Sequence, residues 1–174
     1  DNRLRIEPAQ IVNGDDIPRF AQLGVMPSMQ ATHATSDMPW AVDRVGAERI
    51  KGAYAWQRFL KSGSRIANGS DFPVEALNPL WGFYAAVTRQ DRTGQPAQGW
   101  QPEQRMSRAE ALRSFTLDAA YAAFQEAELG SIQTGKFADF VVLSANIMEI
   151  PPADILNTTV AMTFIGGKAI YTAP

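Results

Sequence analysis

The sequence predicts an α/β fold in which parallel strands alternate with helices, followed by a short all-β segment. Strand-like runs that end near Glu7, Gln30 and Asp71 are separated by helix-like segments of about ten residues, which is typical of βα units around a parallel sheet. The C-terminal part has β-branched and aromatic runs with Gly-Lys turns and no helix of useful length. We therefore expect a β/α part over residues 1–128 and an all-β part over residues 129–174.

Boundary signals place the elements of the first part. Three runs have the composition of strands: "LRIEPAQIV", "VMPSMQA" and "RIANGSD". Two runs have the spacing of helices, with Gly24 and Gly63 as their stop signals: "DDIPRFAQLG" and "AWQRFLKSG". Between the second strand and the second helix, the segment 31–54 is expected to be a long polar connection.

The clearest helix is predicted in "MSRAEALRSFTLDAAYAAFQE", where Ser107 and Glu110 have capping-box spacing. In the all-β part, "FADFVVLS" is typical of a buried strand. "MTFIGGKAIYT" predicts a tight hairpin around Gly166 and Gly167, because glycine readily adopts the positive φ of two-residue turns.

The composition excludes several classes of protein. The 174 residues are 45% hydrophobic and 20% charged with a net charge of −2, and they contain no cluster of basic residues interleaved with aromatic ones, which argues against nucleic-acid binding. No apolar run approaches the roughly 18 residues of a membrane span. The start "DNRLRIEPAQ" lacks the features of a signal peptide and an initiating Met, so we expect a cytoplasmic location and a chain cut from a longer one.

The chain has few of the residues that most often bind transition metals or act as nucleophiles. There is no cysteine, which excludes disulfides and thiolate sites, and His33 is the single histidine. A site made of several histidines therefore cannot be built from this chain alone.

The ends of the three predicted strands carry candidate functional groups. Catalytic residues of β/α barrels lie where strands pass into the following loops, and those positions hold Glu7 with Pro8, Gln30 with His33 soon after, and Asp71. A carboxylate and an imidazole at one mouth could bind a metal or transfer a proton to water.

Structural alternatives stay open for each of these groups. Asp71, between Ser and Phe-Pro, could form a turn, and His33 could be a hydrogen-bonded loop histidine. Glu7 could pair with Arg5 or Arg3.

Longer motifs carry a family resemblance. They occur in this order: "RIEPAQ", "GVMPSMQATHATSDMPWAVDRVG", "GSDFPVE", "LGSIQTGKFADFVVLS" and "TFIGGKAIY". Together they resemble the C-terminal part of the amidohydrolase superfamily, most of all its amidohydrolase-3 branch, which includes N-substituted formamide deformylase-like enzymes. The resemblance implies a partial (β/α)8 TIM-like barrel, about its last three βα units, over residues 1–128. It implies a β-sandwich segment over residues 129–174.

The resemblance also implies a chemistry. Family members hold one or two divalent metals, usually zinc, at the barrel mouth, where the metal activates a water that attacks a C–N bond of a small amide-type substrate. Asp71 matches the aspartate after the last strand, which binds the metal and takes the proton of the water. His33 matches a histidine after the seventh strand, for which we expect a substrate contact.

One position departs from the family pattern. The family reads R-I-E-H-A-Q where this chain has Pro8, so a metal-ligating histidine is replaced by a residue without a lone pair to donate. The resemblance places the other ligands in segments that this chain does not contain. We therefore expect a C-terminal fragment of a hydrolase that binds zinc weakly and is inactive alone, and that forms a homo-oligomer or associates with a missing N-terminal half. The alternative is a non-catalytic remnant or a binding module with a lost metal site.

Overall fold

The computed structural model describes residues 2–174, which form two separate three-stranded sheets and a set of short helices. The α-helices are α1 (Ile17–Leu23), α2 (Ala31–Asp37), α3 (Ala41–Arg49), α4 (Trp56–Lys61), α5 (Pro79–Thr88), α6 (Arg108–Phe115) and α7 (Leu117–Ala122). The strands are β1 (Arg5–Ile6), β2 (Met26–Gln30), β3 (Ala67–Gly69), β4 (Phe140–Leu143), β5 (Val160–Ile165) and β6 (Lys168–Thr172). Short 3-10 turns cover Ile50–Gly52, Pro102–Gln104 and Pro152–Asn157.

The first sheet is parallel, as predicted, with β2 between β1 and β3. Arg5 is opposite Met26, and Gln30 is opposite Gly69. Parallel strands end at the same edge of a sheet, so the residues that follow β1, β2 and β3 share one mouth.

Large apolar side chains hold the helices against this sheet. Trp56, Phe59 and Ile66 are fully buried, and the ring of Phe20 meets that of Phe59 edge to face with centroids 5.0 Å apart. Burial of each such side chain stabilises the fold by about 1.5–3 kcal/mol. The same core includes Met29 of β2, so the strand that leads to the mouth is held by the side chains of the core.

The expectation of a long polar connection over residues 31–54 is wrong, because this segment contains α2 and α3. Helix α2 begins directly after β2, where the backbone N–H of Ala31 donates to Asn68 Oδ1 at 3.0 Å. This partner lies on another strand, so no local capping signal marks the start of the helix. Helix α3 is kinked at Gly46, whose φ of 78° and ψ of 166° are not helical.

The single helix predicted in "MSRAEALRSFTLDAAYAAFQE" is two helices, α6 and α7, which meet at Thr116 with φ −128° and ψ −88°. The capping box is confirmed, since Ser107 Oγ accepts from the Glu110 N–H and the Glu110 carboxylate accepts from the Ser107 N–H. Helix α5 was not predicted. Its sequence signal is Asn78, whose side chain accepts from the Leu80 N–H, followed by a proline at the first helical position.

The second sheet is antiparallel, in the order β4, β5, β6. The predicted hairpin is confirmed, with positive φ at Gly166 and Gly167. The prediction of a buried strand in "FADFVVLS" is wrong, because Val141 and Val142 are 52% and 41% exposed. The strand packs mainly across the sheet, where Phe140 stacks on a phenylalanine of β5, and its valines remain at the surface.

Arg108 connects α6 with the segment that follows β4. Its guanidinium donates to the carbonyl oxygens of Ile147 and Ile150, which lie between β4 and the last 3-10 turn. Within residues 2–174, no helix has both the length and the apolar character needed to cross a membrane.

The capping box of α6 allows a stability test. We expect Ser107→Ala to lower the free energy of unfolding by about 1 kcal/mol, because the side-chain acceptor of the first helical turn is lost. Ser107→Asp keeps an acceptor and should stay close to the wild type. Urea denaturation measures both variants, and equal stability of all three proteins would contradict the capping role.

Candidate active site

The candidate site lies at the carboxyl edge of the parallel sheet. Glu7 follows β1, His33 lies on α2 just after β2, and Asp71 follows β3. The structure therefore brings all three sequence-predicted strand ends to one side of the sheet, the side on which barrel enzymes carry their catalytic groups.

His33 and Asp71 face each other across this mouth. His33 Nε2 lies 3.4 Å from Asp71 Oδ2. The His33 side chain is 8% exposed and that of Asp71 is 45% exposed, so the imidazole is fixed in the protein and the carboxylate reaches solvent. The arrangement can share a proton between a buried nitrogen and a group that water can reach.

The backbone of Asp71 explains why its side chain is available. Asp71 has a left-handed backbone with φ 57°, which aspartate tolerates better than most residues. Its carbonyl oxygen accepts from the N–H groups of Val74 at 2.7 Å and Glu75 at 3.4 Å. The turn is thus closed by the main chain of Asp71, while the carboxylate points to His33.

Gln10 sets the orientation of the imidazole. Its side-chain Nε2 lies 2.7 Å from His33 Nδ1 and donates to it when the ring proton is on Nε2. That tautomer presents an N–H to Asp71. His33 lies on a helix and is buried, so its interpretation as a loop histidine is wrong.

Glu7 and Gln30 form a second polar contact at the mouth. Gln30 Nε2 donates to Glu7 Oε1 at 2.5 Å, so the expectation that Glu7 pairs with Arg5 or Arg3 is wrong. Arg3 instead pairs with Glu126. Gln30 is buried, and its Oε1 has no hydrogen-bond partner among the described residues.

Sequence reasoning named Gln30 at the end of the second strand but missed Gln10 as part of the site. The available signal was an amide residue soon after the first strand, in "RIEPAQ". Pro8 follows Glu7 at the same edge of the sheet and has no side-chain atom that could bind a metal, as expected from the sequence.

A cavity of about 220 Å³ is lined by residues of α2, of α5 and of the loops that follow β3 and α5, with neither His33 nor Asp71 among them. Its wall includes Thr32, next to His33, and Glu75, whose carboxylate accepts from Ser36 at 2.6 Å. Arg92, which lies over the Trp81 ring at 4.1 Å, and Trp81 also line this cavity. A larger cavity, of about 600 Å³, lies between α3 and the turn at 102–104, away from the strand ends.

The residues at the mouth do not make a complete metal site. Zinc sites have four ligands, of which three come from the protein even in catalytic sites. Asp71 and His33 supply one carboxylate and one imidazole, and residues 2–174 contain no group of three or more His, Cys, Asp and Glu side chains that could hold a metal. A metal here would need donors from outside these residues.

The single histidine allows a direct test of the site geometry. In ¹⁵N-labelled protein with a neutral imidazole, we expect the proton on Nε2, because the Gln10 amide donates to Nδ1 and therefore requires a lone pair there. Long-range ¹H–¹⁵N spectra distinguish the two tautomers. Gln10→Leu should increase the share of the form protonated at Nδ1, while Gln133→Leu, at an exposed position, should not. A proton on Nδ1 in the wild type would contradict the geometry.

Comparison with known proteins identifies the family of the chain. The model of the amidohydrolase family matches residues 1–171. The chain is 38% identical over 172 residues to Protein LONG AFTER FAR-RED 3 of Arabidopsis thaliana, covering 98% of this chain and 29% of the relative. It is 32% identical over 167 residues to Putative amidohydrolase YtcJ of Bacillus subtilis, covering 96% of this chain and 32% of the relative.

A solved structure agrees with these matches. The chain superposes on an uncharacterized metal-dependent hydrolase from Pyrococcus furiosus with a TM-score of 0.66 and 34% identity. The superposition covers 77% of this chain and 26% of that structure. The chain thus spans less than a third of the length of the relatives it matches. The family model covers nearly every residue, and the chain belongs to the amidohydrolase family.

Proposed function

We propose that this chain is the C-terminal part of a metal-dependent hydrolase that cleaves an amide-type C–N bond of a small molecule. The observation that carries the proposal is the approach of Asp71 Oδ2 to His33 Nε2, at 3.4 Å, at the carboxyl edge of a parallel sheet in a chain of this family. Residues 1–128 would be the end of a (β/α) barrel, and residues 129–174 a segment of a β-sandwich. The parallel and antiparallel sheets support this division.

Asp71 is the proton carrier in the proposed reaction. Its carboxylate takes a proton from a water in the mouth while the water oxygen forms a bond to the carbonyl carbon. When the C–N bond breaks, the same proton passes to the leaving nitrogen and the carboxylate is restored. The partial exposure of Asp71 lets water and substrate reach it, which a fully buried acid would not allow.

His33 holds Asp71 and contacts the substrate in this proposal. With its proton on Nε2, the imidazole presents its positive N–H edge 3.4 Å from Asp71 Oδ2 and attracts the carboxylate, although the two do not form a hydrogen bond in this structure. Thr32, which precedes His33 on α2, lines the 220 Å³ cavity, and this cavity offers space for a small acyl or amine group. The substrate would thus lie between the pair and this cavity.

The metal of the proposed enzyme is a divalent ion, with zinc as the family's usual choice. Because Asp71 and His33 are too few to hold it, the other donors would come from outside this chain, and the 174 residues would be inactive alone.

Replacement of Asp71 tests the proposed function. In the assembly that carries one zinc per site, we expect Asp71→Asn to lower kcat for N-formyl or N-acetyl amines by about 10²–10⁴-fold, because the amide cannot take a proton. Asp16→Asn, at an exposed position outside the mouth, is the control and should keep full activity. Unchanged kcat in Asp71→Asn would refute the proposal, and so would one tightly held zinc in the 174-residue chain alone.

The surface of the second sheet supports a proposal about assembly. Ile165 of β5 and Ile170 of β6 are 55% and 57% exposed, so large apolar side chains of this sheet reach solvent, and β4 and β6 are its open edges. We expect the 174-residue chain to form homo-oligomers through this surface, or to bind the missing half of the hydrolase there.

Light scattering tests this assembly. The double variant Ile165→Glu with Ile170→Glu should shift the chain toward a monomer, because charges would enter the contact. Leu23→Glu changes an equally exposed side chain on the other part and should leave the mass unchanged. A monomeric wild-type chain at high concentration would contradict self-association.

A further inference from the structure

The helix that carries His33 is fixed at its start by a buried amide. Asn68 lies on β3, three residues before Asp71, and its Oδ1 accepts the backbone N–H of Ala31 at 3.0 Å. The strand that leads to Asp71 therefore also determines where α2 begins. This contact fixes one end of the helix, but a helix held at one end can still tilt.

Tyr54 fixes the other end. Its hydroxyl donates to Asp37 Oδ2, at the last residue of α2. Asp37 is four residues after His33, one helical turn farther along the same face. The ends of α2 are thus bound to two different parts of the fold, with His33 between them.

Tyr54 itself is held independently of α2. Its side chain is 3% exposed, its backbone is left-handed with φ 49°, and its ring meets that of Trp100 edge to face at 5.6 Å. Its carbonyl oxygen accepts from Arg89 at 2.9 Å. Arg89 is fully buried and lies over the Trp56 ring at 4.2 Å.

The chemistry of the contact suits a permanent hydrogen bond. Burial, and then the Asp37 carboxylate, raise the pKa of the Tyr54 phenol well above its usual range, so the phenol remains a donor. A carboxylate at the C-terminal end of a helix is unfavourable for the helix dipole. The bond from Tyr54 offsets this cost and ties the carboxylate to the core.

We propose that Tyr54 is a positioning residue for His33, which acts by holding the C-terminal end of α2 so that the imidazole faces Asp71. Its importance for catalysis rests on the proposed function, whereas the positioning itself does not. The Tyr54 hydroxyl bonds to Asp37, one helical turn after His33, so its effect on the imidazole passes through the helix.

The test uses the ¹⁵N signals of the single histidine in the 174-residue chain. We expect Tyr54→Phe to move the Nδ1 and Nε2 signals of His33 toward each other, because a loosened helix lets both tautomers form. Tyr84→Phe is the matched control. Tyr84 is 2% exposed and its hydroxyl donates to Gln90 Oε1, so that variant also removes one buried phenol hydrogen bond but leaves α2 tied. Its His33 signals should equal those of the wild type.

Two variants of Asp37 provide an independent measurement if Tyr54→Phe does not fold. Asp37→Asn keeps an acceptor for the Tyr54 hydroxyl and should retain the wild-type His33 signals, while Asp37→Ala should reproduce the change expected for Tyr54→Phe. Wild-type signals in Tyr54→Phe or in Asp37→Ala would overturn the proposal, and so would an equal change in Tyr84→Phe. Because the spectra need neither zinc nor substrate, an enzyme that fails to hydrolyse amides would refute the proposed function and leave this inference standing.

Discussion

The arrangement of the mouth depends on a turn that the main chain of Asp71 closes by itself. Two N–H groups of the following residues donate to the Asp71 carbonyl oxygen, so the carboxylate is not used as a turn cap. A capping aspartate would have its oxygens bound to backbone N–H groups and would accept a proton poorly. The left-handed backbone of this one residue thus leaves a charged group free where parallel strands end.

Neutral amides arrange the polar groups around this aspartate. Gln10 contacts the imidazole, Gln30 contacts Glu7, and Asn68 caps the helix that carries His33. Burial of an amide with hydrogen-bond partners costs far less than burial of a charge, so these side chains can fix geometry inside the fold. The mouth therefore has few charged groups, and the carboxylates of Asp71 and Glu7 are placed by uncharged neighbours.

The sequence was most informative where structure is local. The hairpin at Gly166 and the capping box at Ser107 depend on residues a few positions apart, and both are visible in the sequence. Helix α2 was missed because its start is set by Asn68, 37 residues away, and its composition is polar. The prediction that "FADFVVLS" is buried was wrong, because an apolar run shows that a strand can be buried but not whether another element covers it. The site follows the same rule. Asp71 was predicted from its place after a strand and from the family motif, whereas the bond of Tyr54 to Asp37 is a contact that only the folded chain reveals.

Arg89 holds Tyr54 in place without an acidic side chain in contact. Its guanidinium binds the carbonyl oxygens of Tyr54 and Trp100 and lies against two indole rings, and no ion pair joins it to a carboxylate within the described residues. Burial lowers the pKa of Arg89 to about 9, below its value in the unfolded chain. Above about pH 9 the folded chain begins to lose this proton while the unfolded chain still holds it. In that range the contribution of Arg89 makes folding more favourable as pH rises. In acid, Arg89 is charged in both the folded and the unfolded chain, and the carbonyl oxygens that it binds do not titrate. Its hydrogen bond to Tyr54 is therefore insensitive to an acidity that would protonate the carboxylate of an ordinary salt bridge.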